Sequence, residues 1–374
     1  MTVTGLPRLR ALAERSVAII RGNQAPGGAY LASPSFPVYR YSWLRDGAFI
    51  ADAMSRAGDI GSAEAFFGWC DRVLHARGER IEQLLARHAT GEPIGHAEFL
   101  PTRYTLEGAE TGEDWPDFQL DGYGVWLWAL DAHARRHERP VEPYLAGAEL
   151  SARYAAGFWD YPSYDWWEEH PDQVHTSTLA ALYAGLRAAA SWAGLATERR
   201  AAFAETAEDV RERILGEARR AGHLTKWLGS DAVDASLIAA ATPFGVLDAD
   251  EPLMRATVAE IEATLVHGSG VHRYAADSYY GGGEWLILAA FLGWHYARLG
   301  RTDDARVERE WIALQATPQG ELPEQIDHHL LAPAARDGWV GRWGPVATPL
   351  LWSHAMYLTL ALELGVAVAP TSSA

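Results

Sequence analysis

Apolar residues recur along most of this chain at the three-to-four-residue spacing of an amphipathic helix. Leu9, Leu12, Val17 and Ile20 fall near one face of a first helix. Ala63, Phe66, Cys70, Val73 and Leu74 repeat the pattern behind Asp59, a residue type suited to capping a helix N-terminus. Runs short enough to be fully buried strands lack alternation, so the pattern predicts an all-α fold. Helix starts are expected near Pro7, Leu44, Gly61, Asp121, Val141, Val174, Thr197, Ala235, Glu251, Glu284, Thr302 and Pro349, about twelve in all.

The connections alternate in length. Short turns fall at Gly58-Asp59, Gly194-Leu195 and Gly300-Arg301, whereas long segments precede the even-numbered helices: Gly22 to Trp43, His88 to Leu120, Trp159 to Gln173, Gly222 to Asp234, His267 to Gly283 and Ala316 to Thr348. Long connections in a compact domain usually carry function. Six hairpins with every long segment at one end describe an (α/α)6 barrel over residues 1–374, with the even helices inside. Trp43, Trp115, Trp159, Trp166, Trp167, Trp227, Trp285, Trp339 and Trp343 lie in or beside those segments, out of 16 tryptophans. They read either as satellite cores under long loops or as the walls of a sugar pocket. A sugar stacks its CH face on an aromatic plane and gives its hydroxyls to charged partners.

Charge narrows the choice of ligand. With 49 acidic and 32 basic residues the net charge is −17, and there is no basic cluster, which argues against a nucleic-acid groove or an anionic membrane surface. A small neutral or cationic ligand fits better. Cys70 is alone, so neither an intramolecular disulfide nor a multi-cysteine metal site is expected. Met1 to Arg21 is interrupted by Pro7, Arg8, Arg10, Glu14 and Arg15 and lacks the apolar stretch of a secretory signal; no run reaches the length of a membrane span. A cytoplasmic protein is expected.

Five of the long segments carry candidate chemistry. Tyr39-Arg40-Tyr41-Ser42-Trp43-Leu44-Arg45-Asp46 opens an inner helix, where Asp46 read alone is an acid favoured by the helix dipole. Trp115-Pro116-Asp117-Phe118-Gln119-Leu120-Asp121 supplies a possible cap at Asp121, but Trp115 and Gln119 are not explained by capping. In Tyr164-Asp165-Trp166-Trp167-Glu168-Glu169-His170, adjacent carboxylates beside indoles can raise one another's pKa, although an isolated pair of acids is more commonly just solvated. Arg273 to Trp285 contains three successive glycines without a phosphate-loop lysine, read as a close approach of backbone to a ligand. A further carboxylate, Glu324, lies far along the chain at the same expected mouth, and acid/base glycoside hydrolysis needs such a pair. Asp327-His328-His329 is not expected to hold a metal, since adjacent residues rarely converge on one ion, and Lys226 is expected to be an exposed charge.

Taken in order, Tyr39-x-Tyr41-x-Trp43-x-Arg45-Asp46, Trp167-Glu168-Glu169, Arg273-Tyr274 with Asp277 and Tyr279-Tyr280, and Glu324-Gln325 resemble glycoside hydrolase family 15, the glucoamylase family. The resemblance runs from Ala29-Tyr30-Leu31 to Trp352-Ser353-His354 and implies an (α/α)6 barrel with no cofactor. It implies Glu168 as general acid, Glu324 as general base, and Tyr39 beside the attacking water with Tyr279 as its neighbour. Arg45, Asp46, Trp115, Glu169 and Arg273 then hold the sugars, with Gln119, Trp167 and Trp285 as further candidates. No β-sandwich or starch-binding module is expected around the barrel; the tail Pro370 to Ala374 is too short for one. The expected activity is inverting, exo-acting hydrolysis of short α-glucosides, isomaltose-type α-1,6 linkages first, with a trehalase or a conventional α-1,4 glucoamylase as alternatives. A catalytically silent sugar-binding barrel would be expected to lack Glu168 or Glu324, and an epimerase on the same barrel would need paired histidines at those places.

Overall fold

In a computed structural model, which describes residues 5–368, the chain is helical with four two-residue strand pairs. Residues 1–4 and 369–374, including the tail from Pro370, lie outside the described residues. An inner ring runs through α2 (Leu44–Arg56), α5 (Asp121–His137), α7 (Thr176–Ser191), the 3-10 segment Ala235–Ala240, α10 (Leu286–Arg298) and α13 (Leu351–Glu363). Each of these packs on the next, and α13 closes back onto α2. Outside them stand α1 (Gly5–Gly22), α3 (Ile60–His75), α6 (Leu145–Phe158), α8 (Thr197–Glu217), α9 (Pro252–Leu265) and α11 (Thr302–Leu314). This is the expected (α/α)6 barrel.

Position in the ring decides burial. Inner helices are enclosed all round: every residue from Leu286 to Tyr296 in α10 and from Leu351 to Ala361 in α13 is buried. The outer helix α8 buries only Phe203, Ala207, Val210 and Ile214, one stripe at helical spacing. Asp59 caps α3 by accepting the Ser62 N–H. At the α5–α7 crossing the backbones touch, and a Cβ on Gly124 would come within 2.4 Å of the Ala181 carbonyl oxygen. Only glycine permits that approach.

Three expectations change. The stretch expected to run from Gly61 to His88 is broken into α3 and α4 (Gly78–Ala89). The helix expected from Ala235 is a 3-10 segment only six residues long; Pro243, without an N–H, and Gly245, at φ 64°, end the turn that follows it. Inside the last long segment lies an unforeseen helix, α12 (Pro333–Trp343). No helix among the described residues is long and apolar enough to cross a membrane.

Candidate active site

Five of the six long connections line one cavity of about 560 Å3. Eleven of the twelve expected site residues line it: Tyr39, Arg45, Asp46, Trp115, Trp167, Glu168, Glu169, Arg273, Tyr279, Trp285 and Glu324. Gln119 does not. It is fully buried behind the wall, and its amide N–H groups go to the Pro116 carbonyl at 2.8 Å and to Glu168 Oε1 at 3.1 Å. Its expected role in binding sugar is therefore replaced by one in holding Glu168.

Glu168 sits on a turn built by Asp165. Asp165 Oδ1 accepts the backbone N–H groups of Trp167 and Glu169, each at 2.9 Å, and the Asp165 carbonyl accepts the Glu168 N–H at 3.0 Å. These bonds hold Glu168 at φ 65°, a left-handed conformation that costs a non-glycine residue on the order of 1–3 kcal/mol. Glu168 Oε1 also accepts Trp43 Nε1–H at 2.8 Å. Arg45 Nη1 donates to Gln119 Oε1 at 2.8 Å and to Asp121 Oδ2 at 3.0 Å, which turns the Gln119 amide nitrogen toward Glu168.

Glu324 comes from a different connection, the last long one. Its N–H donates to the Ala347 carbonyl at 2.9 Å, and the next two residues pair antiparallel with Glu284–Trp285. Oε1 accepts the Tyr39 hydroxyl at 3.0 Å; since that proton is committed, the Tyr279 hydroxyl donates to Tyr39, also at 3.0 Å. Oε2 is buried with no hydrogen-bond partner among the described residues. Burial pushes the Glu324 pKa up to about 8, against the pull of the Tyr39 hydrogen bond and the Arg273 charge. Burial likewise lifts Asp46 to about 7, against Arg45, whose Nε lies 3.5 Å from Asp46 Oδ2.

The two carboxylates share no hydrogen bond. They are linked through aromatic residues, with Trp43 on Glu168, the Tyr39 ring edge-on to Trp43 at 5.6 Å, and Tyr39 on Glu324. Arg273 is 2% exposed and forked onto Asp277, with Nε–Oδ2 at 2.7 Å and Nη2–Oδ1 at 2.5 Å. Nη2 reaches Glu169 at 3.2 Å, and the guanidinium stands within 5.3 Å of the Trp167, Tyr279 and Trp285 ring centres. Desolvation would pull its pKa down, but Asp277 and Glu169 hold it well above the usual range.

Several expectations are corrected at this mouth. Lys226 is not an exposed charge: it is 3% exposed, with Nζ 2.9 Å from Asp234 Oδ2 and 3.3 Å from Asp165 Oδ2. The glycine triplet does not serve a ligand. A Cβ on Gly283 would come within 2.3 Å of the Ile326 carbonyl oxygen, so it admits the strand that follows Glu324. Of the nine loop tryptophans, Trp159 and Trp227 lie off the cavity, where Arg213 covers the first and His170 packs on the second. Trp352, from α13, joins the wall instead, with Arg45 over its ring at 5.5 Å. His329 Nδ1 lies 2.7 Å from Glu284 Oε1, and no group of three His, Cys, Asp or Glu among the described residues is placed to hold a metal.

Trp43, Trp339 and Trp343 are among the tryptophans expected at the mouth and line it; what the sequence missed is Trp43 as the donor to Glu168, Arg342, and the helix α12 that carries Trp339, Arg342 and Trp343 together. Tyr39, Tyr41 and Trp43 alternate before α2, and that spacing was the available signal for Trp43. None marked α12, which has no buried residue.

A cavity with two separately held carboxylates, banked indoles and buried arginines is the equipment of glycoside hydrolysis, and comparison with known proteins agrees. The protein-family model described as "Glycosyl hydrolases family 15" matches residues 8–314. Isomaltose glucohydrolase of Kribbella flavida is 48% identical over 362 residues, covering 96% of this chain and 94% of that protein. A solved glycosidase, in wild-type form and as a variant in complex with glucose, is 47% identical at TM-score 0.96, covering 98% of this chain and 99% of the other. A bacterial glucoamylase solved with acarbose shares the fold at TM-score 0.75 and 20% identity, over 96% of this chain and 56% of its own. Family match, identity and cavity agree on one conclusion: the chain belongs to glycosyl hydrolase family 15 and is a glycoside hydrolase.

Proposed function

We propose that this enzyme cleaves short α-linked glucosides from the non-reducing end with inversion, releasing β-glucose, and that isomaltose-type α-1,6 linkages are its preferred substrates. The observation that carries this reading is the way Glu168 and Glu324 face one cavity, each with one oxygen engaged and the other left for chemistry. Glu168 Oε1 already accepts two N–H bonds, so a proton carried by Glu168 sits on Oε2. Glu324 Oε1 accepts Tyr39, leaving Oε2 as the basic atom.

In the proposed reaction Glu324 Oε2 takes a proton from water as the water oxygen attacks the anomeric carbon. On the other face the glycosidic C–O bond breaks, and the leaving oxygen takes the Glu168 proton. An inverting pair needs carboxyl groups about 6.5 to 9.5 Å apart, which leaves room for that water. Asp46, Arg45, Glu169 and Arg273 offer charged partners to sugar hydroxyls, and Trp115, Trp167 and Trp285 offer ring faces. The α-1,6 preference is supported by the 48% identity to a protein named isomaltose glucohydrolase. A preference for short substrates is supported by Trp339, Arg342 and Trp343, which wall the cavity on the side of α12.

A panel of isomaltose, maltose, trehalose and longer α-glucans, with proton NMR of the freshly formed product, tests each part. We expect β-glucose first, isomaltose fastest among the disaccharides, and kcat/KM flat or falling past about three units, because contacts that do not exist supply no binding energy. An α-anomer overturns inversion. Faster cleavage of trehalose or maltose overturns the linkage, and a steep rise toward soluble starch overturns the closed pocket.

A further inference from the structure

This chain has one lysine among its 32 Lys and Arg residues, and that lysine is buried against the back of the turn that carries Glu168. Lys226 is fixed through its backbone: its N–H donates to the Ala232 carbonyl at 2.8 Å and its carbonyl accepts the Thr176 N–H at 3.1 Å. Nζ then reaches Asp165 and Asp234 and lies 3.4 Å from the centre of the Tyr274 ring. Each of these three partners handles part of the proposed catalytic turn. Asp165 Oδ1 binds the N–H groups of Trp167 and Glu169, on either side of Glu168. Asp234 Oδ2 accepts the Trp167 indole N–H at 2.9 Å, and the Tyr274 hydroxyl donates to Glu169.

We propose that Lys226 is a positioning residue for hydrolysis: it holds Asp165 and Asp234 as a compensated pair, and through them fixes the left-handed backbone that aims Glu168 at the leaving oxygen. The proposal rests on the reading of Glu168 as the acid. Asp165 and Asp234 are themselves buried, and two carboxylates there need a cation between them to offset the loss of solvation. Burial raises the Asp165 carboxyl, yet Lys226, and after it His175, the Glu169 backbone N–H and Arg273, hold it below the usual carboxylate range. An ionised carboxylate is what accepts two backbone N–H bonds on one oxygen; a protonated one would compete for them.

The choice of lysine fits the space. Nζ is a compact charge addressed by two carboxylates and a ring face within 3.4 Å, whereas a guanidinium is a broad plane with five diverging donors. Everywhere else the chain uses arginine, so a lysine here is not a sampling of surface cations. The role differs from that of Arg45 or Arg273, which line the cavity; Lys226 does not.

The test compares Lys226→Met, Lys226→Arg and the milder Asp234→Asn with wild type and with Glu168→Gln, on isomaltose and on α-glucosyl fluoride, whose departure needs no proton. A misplacement of about 1 Å costs roughly a hundredfold. We therefore expect Lys226→Met to lower kcat on isomaltose by roughly that factor, KM by less than about threefold, and the loss to shrink at least about tenfold on the fluoride. Asp234→Asn should show the same leaving-group pattern at smaller size, and it keeps the test alive if Lys226→Met does not fold. Circular dichroism and melting temperature separate folding from positioning. Variants that melt earlier but keep wild-type kcat on both substrates overturn the proposal, as does an equal loss on both, or a Lys226→Arg variant with full activity. If instead Glu168→Gln itself shows no leaving-group dependence, it is the assignment of the acid that fails.

Discussion

Glu168 and Glu324 are the same residue type in the same cavity, and the protein holds them in opposite ways. Glu168 is over-determined: two N–H donors on one oxygen, a left-handed backbone, and an arginine that fixes one of the donors. Glu324 is nearly bare, with one hydroxyl on Oε1, nothing on Oε2 among the described residues, and burial that pushes its pKa up to about 8. Under the proposed roles, Glu168 as acid and Glu324 as base, the difference fits what each task requires. A proton donor must be aimed at one leaving oxygen, so it is clamped. A base gains strength as its pKa approaches the working pH, so it is desolvated and left one free oxygen.

The largest effects should come from breaking each side in turn. Glu168→Gln is expected to lower kcat on isomaltose by a factor of roughly 100 to 10,000 and to recover much of that loss on α-glucosyl fluoride. Glu324→Gln is expected to be as damaging on isomaltose and to recover nothing on the fluoride, because the attacking water still lacks its base. Steady-state kinetics on the two substrates checks both; recovery by Glu324→Gln, or its absence in Glu168→Gln, would reverse the assignment of the two sides.

Next in size is the single hydrogen bond on the proposed base. The Tyr39 hydroxyl stabilises ionised Glu324, so Tyr39→Phe raises the Glu324 pKa further. A base works only when ionised, so wild-type activity should rise with pH toward about 8, and the variant's rise should lie higher still. A bond to a charged group contributes about 1.5 to 3 kcal/mol, which predicts a loss of roughly tenfold or more on the acid side of the profile. An unshifted limb in a pH–kcat/KM profile would remove Tyr39 from this role.

The same bareness predicts a gain in stability. Between the ordinary glutamate value of 4.5 and about 8, the folded chain holds a proton on Glu324 that the unfolded chain does not. Folding therefore loses stability from this group as pH rises through that window, by about 1.4 kcal/mol per unit at most. Glu324→Gln should melt a few degrees above wild type at the upper end, and the gap should close as pH falls toward 4.5. A melting series across that range checks the sign.

How much of this was legible in the sequence follows from what each feature depends on. Inner and outer helices announce themselves through apolar spacing, and the alternation of short and long connections is enough to close the ring. The break between α3 and α4 is invisible because Ile81 and Leu84 carry the apolar pattern on, while the interruption is one of backbone. The helix α12 buries nothing fully, so it has no stripe to read. Residue types and order pointed to Glu168, Glu324, Arg45 and Arg273. The burial of Lys226 could not be read, because Asp165 and Asp234 reach it from separate connections, and a lone lysine in a loop looks like any surface charge. Gln119, expected to bind sugar, stands behind the wall, because Arg45 and Thr102 occupy its carbonyl oxygen, which no sequence pattern shows.

The smallest expected effect lies in the indoles on the two flanks. Trp115 stands on the Glu168 side, half-buried, with Arg103 over its ring at 3.8 Å and Trp43 edge-on at 6.1 Å. Trp343 stands on the other flank, at the end of α12, with Arg342 at 4.7 Å from its ring centre. A stacked aromatic contact contributes about 0.5 to 1.5 kcal/mol, or roughly two- to tenfold in KM. The whole of that should appear in Trp115→Ala on a disaccharide, because a ring already pinned between neighbours loses little freedom on binding. Trp343→Ala should change KM for isomaltose less than about twofold and act on a trisaccharide instead, since α12 is packed loosely and forms the outer wall. Equal effects of both variants on the disaccharide would mean that the two flanks grip the leaving sugar alike, and that the asymmetry between clamped acid and bare base stops at the carboxylates.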